Sequence, residues 1–331
     1  MKAFVNKVLW FTLGVVCLLA LPARAQTTAG TEEKNLPVGE FTSLSVSDDF
    51  EVSLVKGRHG VKITSEKELI PYIQVYVRSK TLFITYDEKS VPKDIKKLFK
   101  GRGASDPVFR AVVQMPEVGG ISLSNNAALS SAEDFNGSSF ELNLADKAQV
   151  KSLSVRANSA SLNLKKNAQA SLNLETENRL EINTEGNAGL KLSGKAGELA
   201  LNAAGSSDVT LAADTKSSTV TTSGSAGVSL SQKTDVITLN VGGSSKLNLS
   251  GQAESLQIRG ERNAQVEANA FNVEKCEASM SGSSRINISI SESLEASLVG
   301  GSALYYTGTP AIKIGKVIKS TLAPYGSSSK L

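Results

Sequence analysis

The stretches GSSDVTL (205–211), GSSKLNL (243–249) and GSSRINI (282–288) are three versions of one segment. A chain that repeats so short a segment folds as stacked copies of one unit, each copy covering the apolar face of the next. Aligning every copy on the small residue two places before a Val, Leu, Ile or Ala puts anchors at Ala127, Ala148, Ala168, Ala188, Ser207, Ala226, Ser245, Ala264, Ser284 and Ser302. Their spacings are 21, 20, 20, 19, 19, 19, 19, 20 and 18 residues. A period near 19 is too short for a strand and a helix in most repeat classes, and the leucine-rich pattern L-x-x-L-x-L is absent.

Within each copy the apolar positions recur every second residue. Leu142, Leu162, Ile182, Leu201, Val220, Leu239, Ile258, Ala278 and Ala296 stand six before an anchor, and Val150, Ala170, Leu190, Val209, Val228, Leu247, Val266, Ile286 and Leu304 stand two after. Ser, Asn, Thr, Lys and Glu lie between them, the pattern of strands with one wet face. Gly186, Gly205, Gly224, Gly243, Gly282 and Gly300 precede an anchor by two and mark a corner, where glycine takes positive φ without steric cost. These features predict an all-β fold: a parallel β-helix (β-solenoid) of about ten coils of 19–20 residues plus N-terminal capping coils. Stacking at about 4.8 Å per coil gives a rod roughly 45 Å long, and right-handed crossovers are the default for parallel strands.

The opening MKAFVNKVLWFTLGVVCLLALPARAQ reads as a cleaved signal peptide over 1–25: Lys2 and Lys7, an apolar run from Val8 to Leu21, then Ala23-Arg24-Ala25. Cys17 lacks the flanking pattern of a lipoprotein signal. Cleavage removes three bases and no acid, so the net charge of +4 becomes +1 and the pI of 8.9 implies no nucleic-acid partner. It leaves Cys276 as the one mature cysteine, so no internal disulfide forms. No later stretch is apolar for long enough to predict an integral membrane span.

After the signal peptide the expected order is a flexible N-terminal linker (26–37), capping coils of the solenoid (38–118) with an inserted loop or helix at 87–108, regular repeats (119–308), and a C-terminal cap and tail (309–331). The capping region holds eight aromatics: Phe41, Phe50, Tyr72, Tyr76, Phe83, Tyr86, Phe99 and Phe109. In the insert, Ile95, Leu98 and Phe99 fall at helical spacing opposite Lys93, Lys96, Lys97 and Lys100, which reads as a short helix with its polar face in water.

The segments FTSLSVSDDFEVSLVKG, VKITSEKELIPYIQVYVRSKTLFITY, VVQMPEVGGISLSNNA and GGSALYYTGTP resemble the putative auto-transporter adhesin, head GIN domain family of exported Bacteroidota proteins, over roughly residues 40–310. The resemblance implies a β-solenoid and adhesion at the cell surface, and brings no catalytic residue with it. The insert departs from the family pattern, and no C-terminal run of ten-residue amphipathic strands that would form an outer-membrane barrel is present.

Tests for chemistry return no enzyme. The one histidine, His59 in GRHG, reads as a solvated turn, and no Ser-His-Asp or Cys-His set can be built without it. Asp48 and Asp49 are adjacent and expected on opposite faces of a strand, a poor acid–base pair. Asp208, Asp214 and Asp235 are scattered, and one His with one mature Cys predicts no zinc site. No cofactor is implied. Asn143, Asn163, Asn183, Asn202 and Asn240 share the position five before an anchor and read as a structural ladder, while Tyr305 and Tyr306 read as a hydrophobic cap on the final coil. The flanks from 120 to 300 carry Phe135, Phe140 and Phe271 but no Tyr or Trp, a poor platform for sugar rings.

The expected function is an exported, non-enzymatic adhesin or interaction protein at the cell surface, binding a protein or glycan through residues the sequence leaves unassigned. The alternatives are an envelope or periplasmic scaffold that self-associates through its ends and, third, a polysaccharide-acting β-helix enzyme.

Overall fold

The computed structural model describes residues 30–100 and 106–326. The expected signal peptide, the first residues of the expected linker, residues 101–105 of the insert and the last five residues of the chain lie outside that range. The chain forms an all-β solenoid of about 11 turns.

The capping region contains β1 (Thr31–Leu36), β2 (Ser43–Val46), β3 (Glu51–Lys56), β4 (Gly60–Glu66), β5 (Ile73–Arg78), β6 (Thr81–Tyr86), helix α1 (Lys93–Leu98) and β7 (Arg110–Met115). The repeats follow as β8 (Gly120–Leu123), β9 (Ala128–Leu144), β10 (Gln149–Lys166), β11 (Gln169–Thr176), β12 (Arg179–Gly186), β13 (Gly189–Ala203), β14 (Asp208–Thr222), β15 (Gly227–Val241), β16 (Lys246–Gly260), β17 (Gln265–Met280), β18 (Arg285–Val299) and β19 (Ala303–Thr307). The last turn is β20 (Ala311–Ile318) and β21 (Thr321–Pro324).

Each coil is a flattened loop with one sharp corner and one soft one. In β14, Lys216 and Ser217 are consecutive exposed residues between buried Thr215 and Ser218, so the alternation slips by one and the strand bends without ending. Parallel pairing to β15 runs on both sides of that bend, Asp208–Ala212 with Gly227–Ser231 and Ser217–Thr222 with Val236–Val241. The predicted columns therefore stack: Leu190, Val209, Val228, Leu247, Val266, Ile286 and Leu304 are all buried, as is the column through Leu201, Val220 and Leu239. Every predicted anchor is buried as well, which keeps the interior narrow.

The sharp corner holds the left-handed residue of each turn. Gly186, Gly205, Gly224 and Gly243 have φ between +71 and +79°, and the residue after each donates its N–H to the corner carbonyl one coil back: Ser206 to Gly186, Ser225 to Gly205 and Ser244 to Gly224, each 2.7 Å. The same column contains Asp48, Asn125, Asp146, Lys166 and Arg262, with φ from +59 to +71°. Asn167 donates to the Asp146 carbonyl and Ser283 to that of Arg262, so the ladder passes through these residues too.

The N-terminal end is closed by strands out of chain order. The β2/β3 rung lies between the β8/β9 rung on one side and β6/β7 on the other. Beyond β6 runs antiparallel β5, and beyond β7 antiparallel β4 and then β1. The expectation of a flexible linker over 26–37 therefore fails for Thr31–Leu36, whose six residues pair with β4. In these rungs the small anchor gives way to Phe50 and Phe109, rings 5.3 Å apart, so the core widens. Helix α1 forms in the insert; Ile95 and Phe99 pack on the core while Leu98, expected beside them, is 61% exposed.

The C-terminal end differs from the expected cap. Ser320, 18 residues after Ser302 and hydrogen-bonded to it at 3.3 Å, anchors one more coil, in which β20 stacks on β18 and β21 on β19. Among the described residues nothing covers that coil.

Two substitutions test the corner. A Cβ at Gly243 would lie 2.4 Å from the Gly224 carbonyl oxygen in a left-handed backbone, whereas nothing lies within 4 Å of one at Gly39. Gly243→Ala is expected to cost about 1–3 kcal/mol, read as a fall of several degrees in Tm, and Gly39→Ala to leave Tm unchanged. Two more test the buried hydroxyls. Thr184 donates to the Ser207 hydroxyl at 3.0 Å, while Thr222 and Ser245, at the equivalent positions two coils on, are buried without a bond. Ser207→Ala is expected to destabilise by about 1–2 kcal/mol in chemical denaturation and Ser245→Ala to be neutral or stabilising.

Candidate functional site

The corner column carries side chains only where glycine is replaced, and most of those replacements lie near the capped end. Asp48, Asn125 and Asp146 stand one above another there, each followed by a second polar residue: Asp49, Asn126 and Lys147. The insert leaves the rod beside them after Tyr86 and rejoins it at Phe109. Together the corner residues and the insert line a groove of about 580 Å³, to which Tyr86, Phe99 and Phe109 contribute rings, the corners polar side chains, and Glu88, Lys96 and Lys100 charges.

This arrangement overturns the expectation for the adjacent aspartates. Asp48 has positive φ and belongs to the corner, not to a strand, so both carboxyls face one groove. Asp48 is committed there: one oxygen accepts from Asn125 Nδ2 at 3.0 Å, the other from the Tyr86 N–H at 3.1 Å and the Ser47 hydroxyl at 2.9 Å. Asp49 accepts from Asn126 Nδ2 at 2.6 Å through Oδ1. A hydrogen bond from Lys166, assisted by its charge, holds the Asp146 carboxyl below the usual range. Burial raises the Tyr86 phenol, with Glu88 and Tyr72 adding to the shift. Tyr86 and Phe109 rings are 4.6 Å apart, which fixes the aromatic wall.

Such a lining offers amide and ammonium donors, carboxylate and amide acceptors and ring faces within one concavity. It suits a ligand dense in both donors and acceptors. Among the described residues no group of three or more His, Cys, Asp or Glu is placed to hold a metal ion. No described helix is long and apolar enough to cross a membrane.

The other residues singled out by sequence lie apart from the groove. His59 Nε2 is 2.8 Å from the Phe41 carbonyl, which accepts only, so Nε2 carries the proton; its ring packs edge-on against Phe41. Asp214 accepts from the Lys233 N–H at 3.3 Å, and Asp208 and Asp235 are exposed along the flank. The asparagine ladder forms from Asn143 through Asn163 and Asn183 to Asn202, with amide bonds of 3.0–3.1 Å. Thr221 then interrupts it, so Asn240 is not part of the run. Tyr306 packs on the core and Tyr305 lies under the Arg285 guanidinium, 5.5 Å away, but a further coil stacks beyond both. Sequence reasoning missed Asn125, Asn126, Asp146 and Lys147; the available signal was their offset from the anchor, shared with the corner glycines.

Cys276 is buried, and desolvation, with Glu277 nearby, pushes its thiol up to about 12. The neutral thiol is a poor nucleophile. In the chain without residues 1–25, dithionitrobenzoate at pH 8 is expected to leave Cys276 unlabelled until denaturant is added; rapid labelling of the folded chain would contradict its burial.

The putative auto-transporter adhesin, head GIN domain family matches residues 40–236 and 210–310. Among solved structures, the chain is similar to a putative adhesin from Parabacteroides merdae ATCC 43184, at 15% identity over 90% of this chain and 97% of that one, with a TM-score of 0.33. It is similar to a putative lipid binding protein from Parabacteroides distasonis ATCC 8503, at 14% identity over 89% and 98%, TM-score 0.31. A putative cell adhesion protein from Clostridium sporogenes ATCC 15579 aligns at 12% identity over 62% and 100%, TM-score 0.22. No curated protein matches the chain.

Proposed function

Because the chain belongs to the putative auto-transporter adhesin, head GIN domain family, we propose that it is an exported, non-enzymatic rod that binds at the cell surface, and that the groove at its capped end is where it binds. The observation that carries this reading is the groove lining: Asp49, Asn125, Asn126 and Lys147 together with Tyr86 and Phe99. Vicinal hydroxyls match paired acceptors and donors, and the C–H face of a sugar ring matches an aromatic wall. The ligand class is therefore a glycan, bound by the end of the rod and not by its flanks, where Phe135, Phe140 and Phe271 are all buried.

A non-catalytic role fits the chemistry available. Asp48 is tied to three donors, Asp146 to a lysine, and His59 to a backbone carbonyl outside the groove. The groove carboxylates with acceptor capacity left are Asp49, bonded to Asn126 through one oxygen, and Glu88, and in this reading both accept from sugar hydroxyls.

The test is retention of the chain by a panel of immobilised neutral and acidic oligosaccharides. Asp49→Ala and Asn126→Ala are expected to weaken binding by about tenfold or more each, as hydrogen bonds to a held ligand are lost. Asp235→Ala, on the flank, is expected to change nothing. Failure of every oligosaccharide to retain the folded chain, or binding indifferent to Asp49 and Asn126, would sink the reading.

A further inference from the structure

The two ends of the rod are finished differently. At the C-terminal end, Ile312, Ile314 and Val317 continue the column of Leu294, Ala296 and Leu298, all three fully buried. Among the described residues no coil lies above the last members, which are 41%, 61% and 37% exposed, with Ile318 at 47%. The open end is also basic. From Gly308 to Leu331 the chain carries Lys313, Lys316, Lys319 and Lys330 and no acid. Lys313 is spent on Glu295 at 2.9 Å, but among the described residues Lys316 and Lys319 have no ion-pair partner.

A strand from another protein would be the obvious cover, yet the edge is built against strand addition. Two lysines lie in β20, the register with β18 shifts at Gly315, β21 is four residues long, and Pro324 in β21 has no N–H to donate. These are the devices by which proteins keep exposed edges from pairing. A second copy docking end to end would set Lys316 and Lys319 against their like. One docking head to tail would meet β1 and β5, whose exposed residues, Thr31, Glu32, Glu33, Lys34 and Asn35 on one and Gln74, Tyr76 and Arg78 on the other, offer a single ring to four aliphatic side chains. The surface that accepts uncovered aliphatic side chains and lysines together, without demanding strand pairing, is the headgroup boundary of an anionic bilayer, where water remains to satisfy the backbone.

We propose that the uncovered last coil, through Ile312, Ile314, Val317, Ile318, Lys316 and Lys319, seats the rod end-on against an anionic lipid surface. This stands independently of the groove and its ligand.

Flotation of the full mature chain with vesicles tests it, using phosphatidylcholine alone and phosphatidylcholine with phosphatidylglycerol. The chain is expected to float only with the anionic vesicles and to be released by salt. Lys316→Gln is expected to lower partitioning about fivefold. Ile314→Ser, at an exposed site that leaves the melting curve unchanged, is expected to lower it too, while Asp49→Ala retains full binding. The proposal is overturned if the chain floats with neither vesicle, if it floats but neither tip variant matters, or if sedimentation without lipid shows dimers or filaments that the tip variants dissolve.

Discussion

Every coil of this protein must pass its chain through the same corner at the same height above the last, and the hydrogen bond from the residue after that corner to the carbonyl one coil back enforces it. With the corner fixed, the anchor two residues on falls over the preceding anchor, and each apolar column falls into line. The repeat can drift between 18 and 21 residues because extra residues are absorbed away from the corner, where the strand register shifts between Val150 and Leu153 in β10 and between Ala268 and Asn272 in β17. A glycine is the simplest solution to the corner, but not the only one. Asn125, Asp146, Lys166 and Arg262 adopt the same left-handed backbone and leave the ladder intact, and Asp48 adopts that backbone too. What changes is that a side chain now projects from the rod.

That exchange explains why the groove sits where it does. A corner of stacked glycines is a smooth edge with nothing to offer a ligand. Replacing glycine by Asp, Asn and again Asp in successive coils builds a polar edge whose spacing is set by the strand separation of about 4.8 Å. An insertion beside that edge supplies the second wall. The aromatic residues needed there, Tyr86 and Phe109, sit on the rung next to Phe50, where the interior has already widened. Fold and site thus use the same device, with different residues in one backbone position.

The repeat was legible because it is written locally: period-two alternation, small anchors and glycine corners each recur within a dozen residues. The parallel stacking, the buried columns and the asparagine ladder as far as Asn202 follow from that pattern. What the pattern hides are pairings between distant segments. Nothing local in SLSV says that its neighbours are residues 81–84 and 120–123, so the rung inserted out of order, and the antiparallel strands closing it, are invisible to periodicity. The segment at 31–36 carries no apolar alternation at all, and becomes a strand only because β4 offers it an edge. Alignment on a small anchor likewise obscured the corner at Asp48, because the residue two places on is Phe50. The extra coil at Ser320 was hidden by its prolines and lysines, which read as tail because they are edge-protecting residues.

A solenoid has no way to close its own core; each coil is sealed by the next, and the two ends are the places where something else must act. Here antiparallel strands, aromatic anchors and a helix seal one end, and the other stops with its aliphatic column half in water. That asymmetry gives the rod a direction. About 11 turns separate the ends, roughly 50 Å at the strand spacing, so a ligand held in the groove would stand clear of any surface touched by the tip. The middle of the rod then needs only to be stiff, regular and inert, which is what short polar flanks over stacked aliphatic columns provide. The repeat count sets the length, and the two irregular ends, where the repeat breaks down, are where both proposed contacts lie.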